Sequence, residues 1–133
     1  MPRTPVPPEV DAFLALPNPA VVATVSPSGV PHSAATWYDW EAGRALLNMD
    51  DSRARLDHLR ENPAVSLTVL ADDDWYRHVT LVGRIVSIEE DEGLRDIDRL
   101  SLKYTGQRYG NRERRRWSAW LEPERWHSWP LAK

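Results

Sequence analysis

"AVVATVSPSGVPHSAATWYDWEAGRALLNM", residues 20–49, sets the grammar of the chain. "AVVATV" is a β-branched run. The following Ser-Pro-Ser-Gly places proline and glycine where a tight turn wants them. "VPHSAATWYDW" then reads as a second strand, Glu-Ala-Gly as another turn, and "RALLNM" as a third strand. Strands joined by such short turns make an antiparallel meander. Alternation predicts Trp37 and Asp39 on one face of the second strand, with Tyr38 and Trp40 on the other.

Working outward, "AVSLTVLA" (64–71) reads as a fourth strand and "WYRHVTLVGRIVSIE" (75–89) as a long fifth. "WSAWLEPERWHSWPL" closes the chain as one or two strands around Pro123. Three short helices interrupt this pattern. "PPEVDAFLAL" sets Val10, Phe13, Leu14 and Leu16 on one side and stops at Pro17–Asn18–Pro19. Residues 53 to 61 form the second helix, capped by Ser52, with Leu56 and Leu59 inward. Residues 91 to 104 form the third, facing inward with Leu94, Ile97, Leu100 or Ser101, and Tyr104. Residues 1–8 are a proline-rich extended arm. The chain has no repeat and no internal boundary. It reads as one domain, 1–133, mainly β with short helices (α+β), closing as an antiparallel barrel with helices at its rims.

Composition narrows the function. A net charge of −3 lacks the basic excess expected of a nucleic-acid binder. The absence of cysteine excludes a disulfide scaffold and a Cys-type zinc site, and fits a reducing cytoplasm. No apolar run approaches membrane-spanning length. Seven tryptophans against one phenylalanine suggest interfaces or pockets as well as core. His32, His58, His78 and His127 do not share a metal-ligand spacing, so no metal is expected. No nucleophile triad, P-loop or dinucleotide fingerprint is present. Chemistry carried by an organic cofactor fits that absence.

"DDSRARLDHLRENP", residues 50–63, poses a charge problem. Arg53 and Arg55 stand at a helix start, where the backbone already carries partial positive charge. A bound phosphate would explain them, held by Ser52, Arg53, Arg55 and free backbone N–H groups. Alternatively the two arginines simply answer Asp50 and Asp51.

The order of these segments resembles the flavin- and deazaflavin-dependent split β-barrel family, the superfamily of pyridoxamine 5′-phosphate oxidase. The segments are the "SPSGVPH" turn, the acidic-aromatic turn, "RALLNM", "SRAR", "ENPAVSL" and "WYRHVTLVGRIVSI", and the likeness runs from about Phe13 to Trp129. It implies an FMN-binding-like split barrel that is homodimeric, with the cofactor at the interface. Counting back from Asn62–Pro63 places the family's phosphate-binding basic residue at Arg55, with Arg53 and Ser52 in the same turn. Asn48, Met49 and Asp50 would border the cofactor ring through backbone groups, and Ser33 and Thr36 would touch the ring or its ribityl chain. Lys103, Tyr104 and Gly106 match the family's "KYTG" segment near the cofactor, or else form an ordinary helix end. Trp75 and Tyr76 either cover the site from a dimer seam or pack a strand end.

The departures are informative. Ala34 and Asp39 stand where the oxidases carry basic residues, and "ERWHSWPLAK" lacks the substrate-gripping pattern. The chain is more similar to the branch that uses deazaflavin coenzyme F420, and "GQRYGNRERRR" either meets that cofactor's acidic tail or is a solvated loop. The implied activity is hydride transfer to an unsaturated small molecule. FMN is the alternative cofactor, with Asp39 expected to repel its dianionic phosphate. A non-catalytic flavin, deazaflavin or haem carrier is the alternative of another class. No catalytic residue can be named from the sequence.

Overall fold

The computed structural model describes residues 1–131. Its elements are α1 (Pro8–Leu14), β1 (Ala20–Val25), β2 (Pro31–Thr36), β3 (Asp39–Glu41), β4 (Arg44–Asp50), α2 (Ala54–Glu61), β5 (Ala64–Ala71), β6 (Asp74–Glu90), α3 (Arg95–Thr105) and β7 (Arg116–Trp129). A single 3-10 turn, Glu92–Leu94, leads into α3. The seven strands form one antiparallel sheet in the order β2-β1-β5-β6-β7-β4-β3.

The expected second strand is divided. Its first half, β2, lies on one edge of the sheet and its second half, β3, on the other. Only Trp37 and Tyr38 separate them, and three Cα–Cα steps span at most about 11 Å. The two edges are therefore drawn together by the chain itself, and the sheet coils into a split barrel. The split barrel that the resemblance implies is thus present, with the chain itself linking the two edges at the seam. The predicted alternation holds across it. Tyr38 and Trp40 join the main core, while Trp37 packs with the cluster under α3.

That main core gathers Val22, Leu67, Val69, Val79, Leu81 and Leu121 from the strands with Leu14, Leu56 and Leu59 from α1 and α2. The Tyr38 hydroxyl is buried there and donates to the Leu14 carbonyl at 2.6 Å. Burial, with Tyr104 and Asp39 nearby, pushes its pKa far up.

Three local expectations differ from the structure. Leu16 lies beyond α1 and is exposed. Ser52 does not cap α2: its N–H and Oγ–H both turn back to Asp50 Oδ1, and Arg53 occupies the cap position without a side-chain bond. Ser52 thus donates two charge-assisted bonds to a carboxylate instead of accepting from the N–H groups of the helix start. The third helix begins later than expected because Gly93 and Leu94 take positive φ. The C-terminal segment, expected as one or two strands, is a single strand. Pro123, which has no N–H to give, sits opposite Gly83 at a register shift. The arm reaches the same strand, with Trp126 N–H donating to Pro2 O and an isolated bridge joining Arg3 to Arg125.

Candidate functional site

Strand alternation builds the site. On β4, Ala45, Leu47 and Met49 point into the main core. Leu46, Asn48 and Asp50 therefore point the other way, where Leu46 meets Ile97 and Leu100 of α3. On β7 the same parity turns Arg116, Ser118 and Trp120 toward α3. A cavity of about 540 Å³ opens on this side of the sheet.

Its wall is aromatic. Trp37 stacks on Tyr104 with ring centroids 5.5 Å apart and planes 8° from parallel, and meets Tyr109 edge-on at 6.2 Å. Ala20, Ala35, Ile97 and Leu100 add apolar surface. The Tyr104 hydroxyl donates to Asn18 O at 2.7 Å and accepts from Tyr38 N–H. Burial raises its pKa, so the phenol stays protonated.

Two arginines also line the cavity. Arg55 lines the cavity from α2. Among the described residues it makes no hydrogen bond and no close ion pair. Burial, then the charges of Arg53 and Arg116, lower its pKa, and Asp50 offsets this only in part. Arg116 lines the same cavity and is itself buried. Its Nε donates to Asn48 Oδ1 at 2.6 Å, and its guanidinium lies 4.9 Å from the centre of the Tyr109 ring.

A polar network fixes this arrangement. Asn48 Nδ2 donates to Asp91 Oδ2 at 3.1 Å and to Ser118 Oγ at 3.2 Å. Asp91 in turn accepts the N–H groups of Asp96 and Ile97 at 2.8 and 2.9 Å, capping α3. Ser118 Oγ donates to Asp96 Oδ2.

Of the residues singled out in the sequence, Thr36, Asn48, Arg55 and Tyr104 line the cavity. The others lie elsewhere. Met49 is buried in the opposite core. Asp50, Ser52 and Arg53 form their own cluster before α2, where Asp50 stands 3.8 Å from both Arg53 and Arg116. Burial opposes ionisation of Asp50, but Ser52 and the arginines outweigh it and its pKa falls. Ser33 is exposed on β2. Trp75 is 64 % exposed and stacks on Tyr76. Gly106 closes α3 in the left-handed conformation.

Lys103 faces Tyr38 and Asp39. It bonds the Tyr38 carbonyl at 3.2 Å and Asp39 at 3.1 Å. Asp39 also takes Arg99 Nε at 2.6 Å. Its charge is thus already neutralised, and the repulsion of an anionic ligand expected of it does not arise. Two arginines of the basic run are also occupied: Arg112 pairs with Asp98 and Arg115 with Glu90. The sequence offered Tyr109 and Arg116 only within the basic run "GQRYGNRERRR", and did not single out Asp72 as a cavity residue. Arg116 was legible in principle, since it stands two residues before the small, inward Ser118 on a strand.

No helix among the described residues is long and apolar enough to cross a membrane. Among the same residues, no group of three or more histidines and carboxylates could hold a metal ion.

A family model described as pyridoxamine 5′-phosphate oxidase matches residues 6–130. No curated protein matches the sequence. Among solved structures, an F420 reductase is 24% identical with a TM-score of 0.84, covering 92% of this chain and 98% of its own. A conserved hypothetical protein from Mycobacterium tuberculosis is 23% identical with a TM-score of 0.71, over 97% and 87% of the two chains. A pyridoxamine 5′-phosphate oxidase-like protein from Listeria innocua is 18% identical with a TM-score of 0.69, over 90% and 94%.

Proposed function

The chain belongs to the pyridoxamine 5′-phosphate oxidase family of flavin-binding split barrels, a superfamily that contains oxidoreductases, and on that premise we propose that it is an F420-dependent reductase acting on a small unsaturated molecule. The observation that carries this reading is Arg55, a half-buried guanidinium without a close partner at the end of an aromatic-walled cavity. Desolvating a cation without pairing it is costly, and a ligand anion would remove that cost.

The residues present fit an aromatic cofactor with a phosphate. Arg55 would take the phosphate. Trp37, Tyr104 and Tyr109 offer ring surfaces, and Ile97 and Leu100 exclude water. When bound, the deazaflavin supplies hydride from its ring carbon. Tyr104 orients rather than donates, because its proton is given to Asn18 O.

Three features support F420 over FMN. The cavity collects few cations, whereas a dianionic terminal phosphate asks for concentrated positive charge. Ala34 adds none. The fold also overlays an F420 reductase along nearly its whole length. Pyridoxamine phosphate oxidation is not proposed, because the C-terminal strand that would grip such a substrate is occupied by the arm, with Arg125 bonded to Met1 O. The protein is further read as a homodimer and a cytoplasmic enzyme.

Paired fluorescence titrations of the purified protein with F420 and FMN test the cofactor. Tighter F420 binding is expected, and tighter FMN binding makes the FMN-dependent reading the better one. A reductase assay with reduced F420 separates an enzyme from a carrier: turnover of an enone acceptor is expected, and binding without turnover leaves a carrier.

A further inference from the structure

We infer that Arg116 is a second anion-binding residue of the cavity, holding one oxyanion group of the ligand jointly with Arg55. For the identity of that ligand this rests on the cofactor reading above. For its chemistry, a phosphoryl or carboxylate oxyanion, it rests on Arg116 alone.

The Arg116 side chain is only 9% exposed, yet its bonding is incomplete. Nε is committed to Asn48. The two Nη groups make no hydrogen bond among the described residues, and the carboxylate facing Nη1, Asp50, stays 3.8 Å away. Asp50 is moreover already held by Ser52. A guanidinium buried to this degree ordinarily finds partners for its whole fork. Here the unused edge belongs to a side chain that lines the cavity.

The support behind the fork is built for precision. The ring of Tyr109 lies beneath the guanidinium, and Asn48 pins Nε from the side. Asn48 is held in turn by Asp91 and Ser118, and Asp91 caps α3. A planar fork fixed at one nitrogen, with two donors free, matches bidentate recognition of a phosphoryl or carboxylate oxyanion. Arg55 approaches from another element, α2, near enough for Arg116 to lower its pKa. Asp50 answers these two cations only in part and from 3.8 Å, so an anion bridging them would stabilise the pair further. Asn48 is the positioning residue of this pair, setting the angle at which Arg116 meets the ligand.

Isothermal titration of the full-length protein with F420, and separately with inorganic pyrophosphate, tests this. Arg116→Gln is expected to lose roughly tenfold or more in affinity for both probes, with the melting temperature recorded alongside. Arg116→Lys, which keeps the charge but not the fork, stands in if the glutamine variant does not fold, and is expected to lose about fivefold. Arg55→Gln serves as the reference. If Arg55→Gln weakens binding and both Arg116 variants bind as wild type, this inference is overturned and the cofactor reading stands. If wild type ignores F420 but binds pyrophosphate in an Arg116-dependent way, the cofactor reading fails and the oxyanion site stands. Failure of wild type to bind either probe overturns both.

Discussion

Trp37 and Tyr104 stack face to face across the seam of the barrel, their ring planes 8° apart. One ring comes from the link between the two sheet edges, the other from α3. The stack therefore joins two elements that share no backbone hydrogen bond, and forms a wall of the cavity. Its two properties can be separated. Tyr104→Phe keeps the stack and loses the hydroxyl bond to Asn18 O, at a cost of about 1 kcal/mol in urea unfolding, with cofactor affinity nearly unchanged. Trp37→Ala removes ring surface and is expected to weaken cofactor binding about tenfold. Equal binding by both variants would show that the wall is not a ligand surface.

Asp39 gives a pH signature. Burial opposes its ionisation, but the Trp40 N–H, Arg99 and Lys103 outweigh burial, and its pKa lies below the ordinary 3.8. A depressed carboxylate stabilises the fold above its unfolded-state pKa, and loses that contribution as pH falls through the folded value. Asp39→Asn is thus expected to cost about 2 kcal/mol near neutral pH. Denaturation curves of the variant and wild type should converge in strong acid. A constant gap down to acid pH would remove the ion cluster as the cause.

Much of this architecture was legible in the residues. The β-branched runs and their Pro–Gly turns gave the meander, and alternation correctly parted Trp37 from Tyr38. What local pattern could not show was tertiary. Nothing in "SAATWYDW" says that the strand changes edges at residues 37–38, because that depends on the coiling of the whole sheet. Ser52 fits a cap by type, but the neighbouring Asp50 claims it. The site was half visible for the same reason. Arg55 stood out through its charge at a helix start. Arg116 was hidden in a run of arginines, and only the β4–β7 pairing brings it to Asn48.

Gly83 faces the proline of β7. A Cβ there would lie 2.7 Å from Pro123 Cα and closer still to the Glu122 carbonyl oxygen, both backbone atoms that cannot swing aside. Gly83→Ala is expected to cost about 3 kcal/mol in chemical denaturation, with no specific effect on ligand affinity in the protein that remains folded. A loss below about 1 kcal/mol would mean that the register shift absorbs the methyl group.

Arg55 is held at a cost in the free protein. Replacing an incompletely paired, desolvated cation with glutamine removes that cost, so Arg55→Gln is expected to gain about 0.5 kcal/mol in stability without ligand. Arg55→Glu places negative charge beside the anion site and should weaken cofactor binding by well over tenfold. The two effects have opposite sign, which a general disruption of α2 would not produce. Thermal melts with and without cofactor measure both at once. Destabilisation of the free protein by Arg55→Gln would show that the side chain serves the fold.

The outer face of the barrel makes the proposed dimer testable. Cross-strand register lines up Val21, Thr68 and Thr80 in one row and Ala23, Ser66 and Val82 in the next. None of these is charged, and Val82 is 39% exposed. The neighbouring inward residues pack against α2 and the core, as Thr24 does through His58, so the helices leave this outer face to small and apolar side chains. Such a patch of small uncharged side chains, continued on β7 by His127 and Arg125, suits a self-complementary interface, and a permanent one buries roughly 2,000 Å² or more. Light scattering at micromolar concentration is expected to give twice the 15.3 kDa of one chain. Ala23→Glu would then set like charges against each other across the two-fold axis without touching the core. It should yield monomers that keep the fold by circular dichroism. If the cavity is completed by the second subunit, those monomers should also bind F420 more weakly. A wild-type monomer, or an Ala23→Glu dimer, would place the interface elsewhere or remove it.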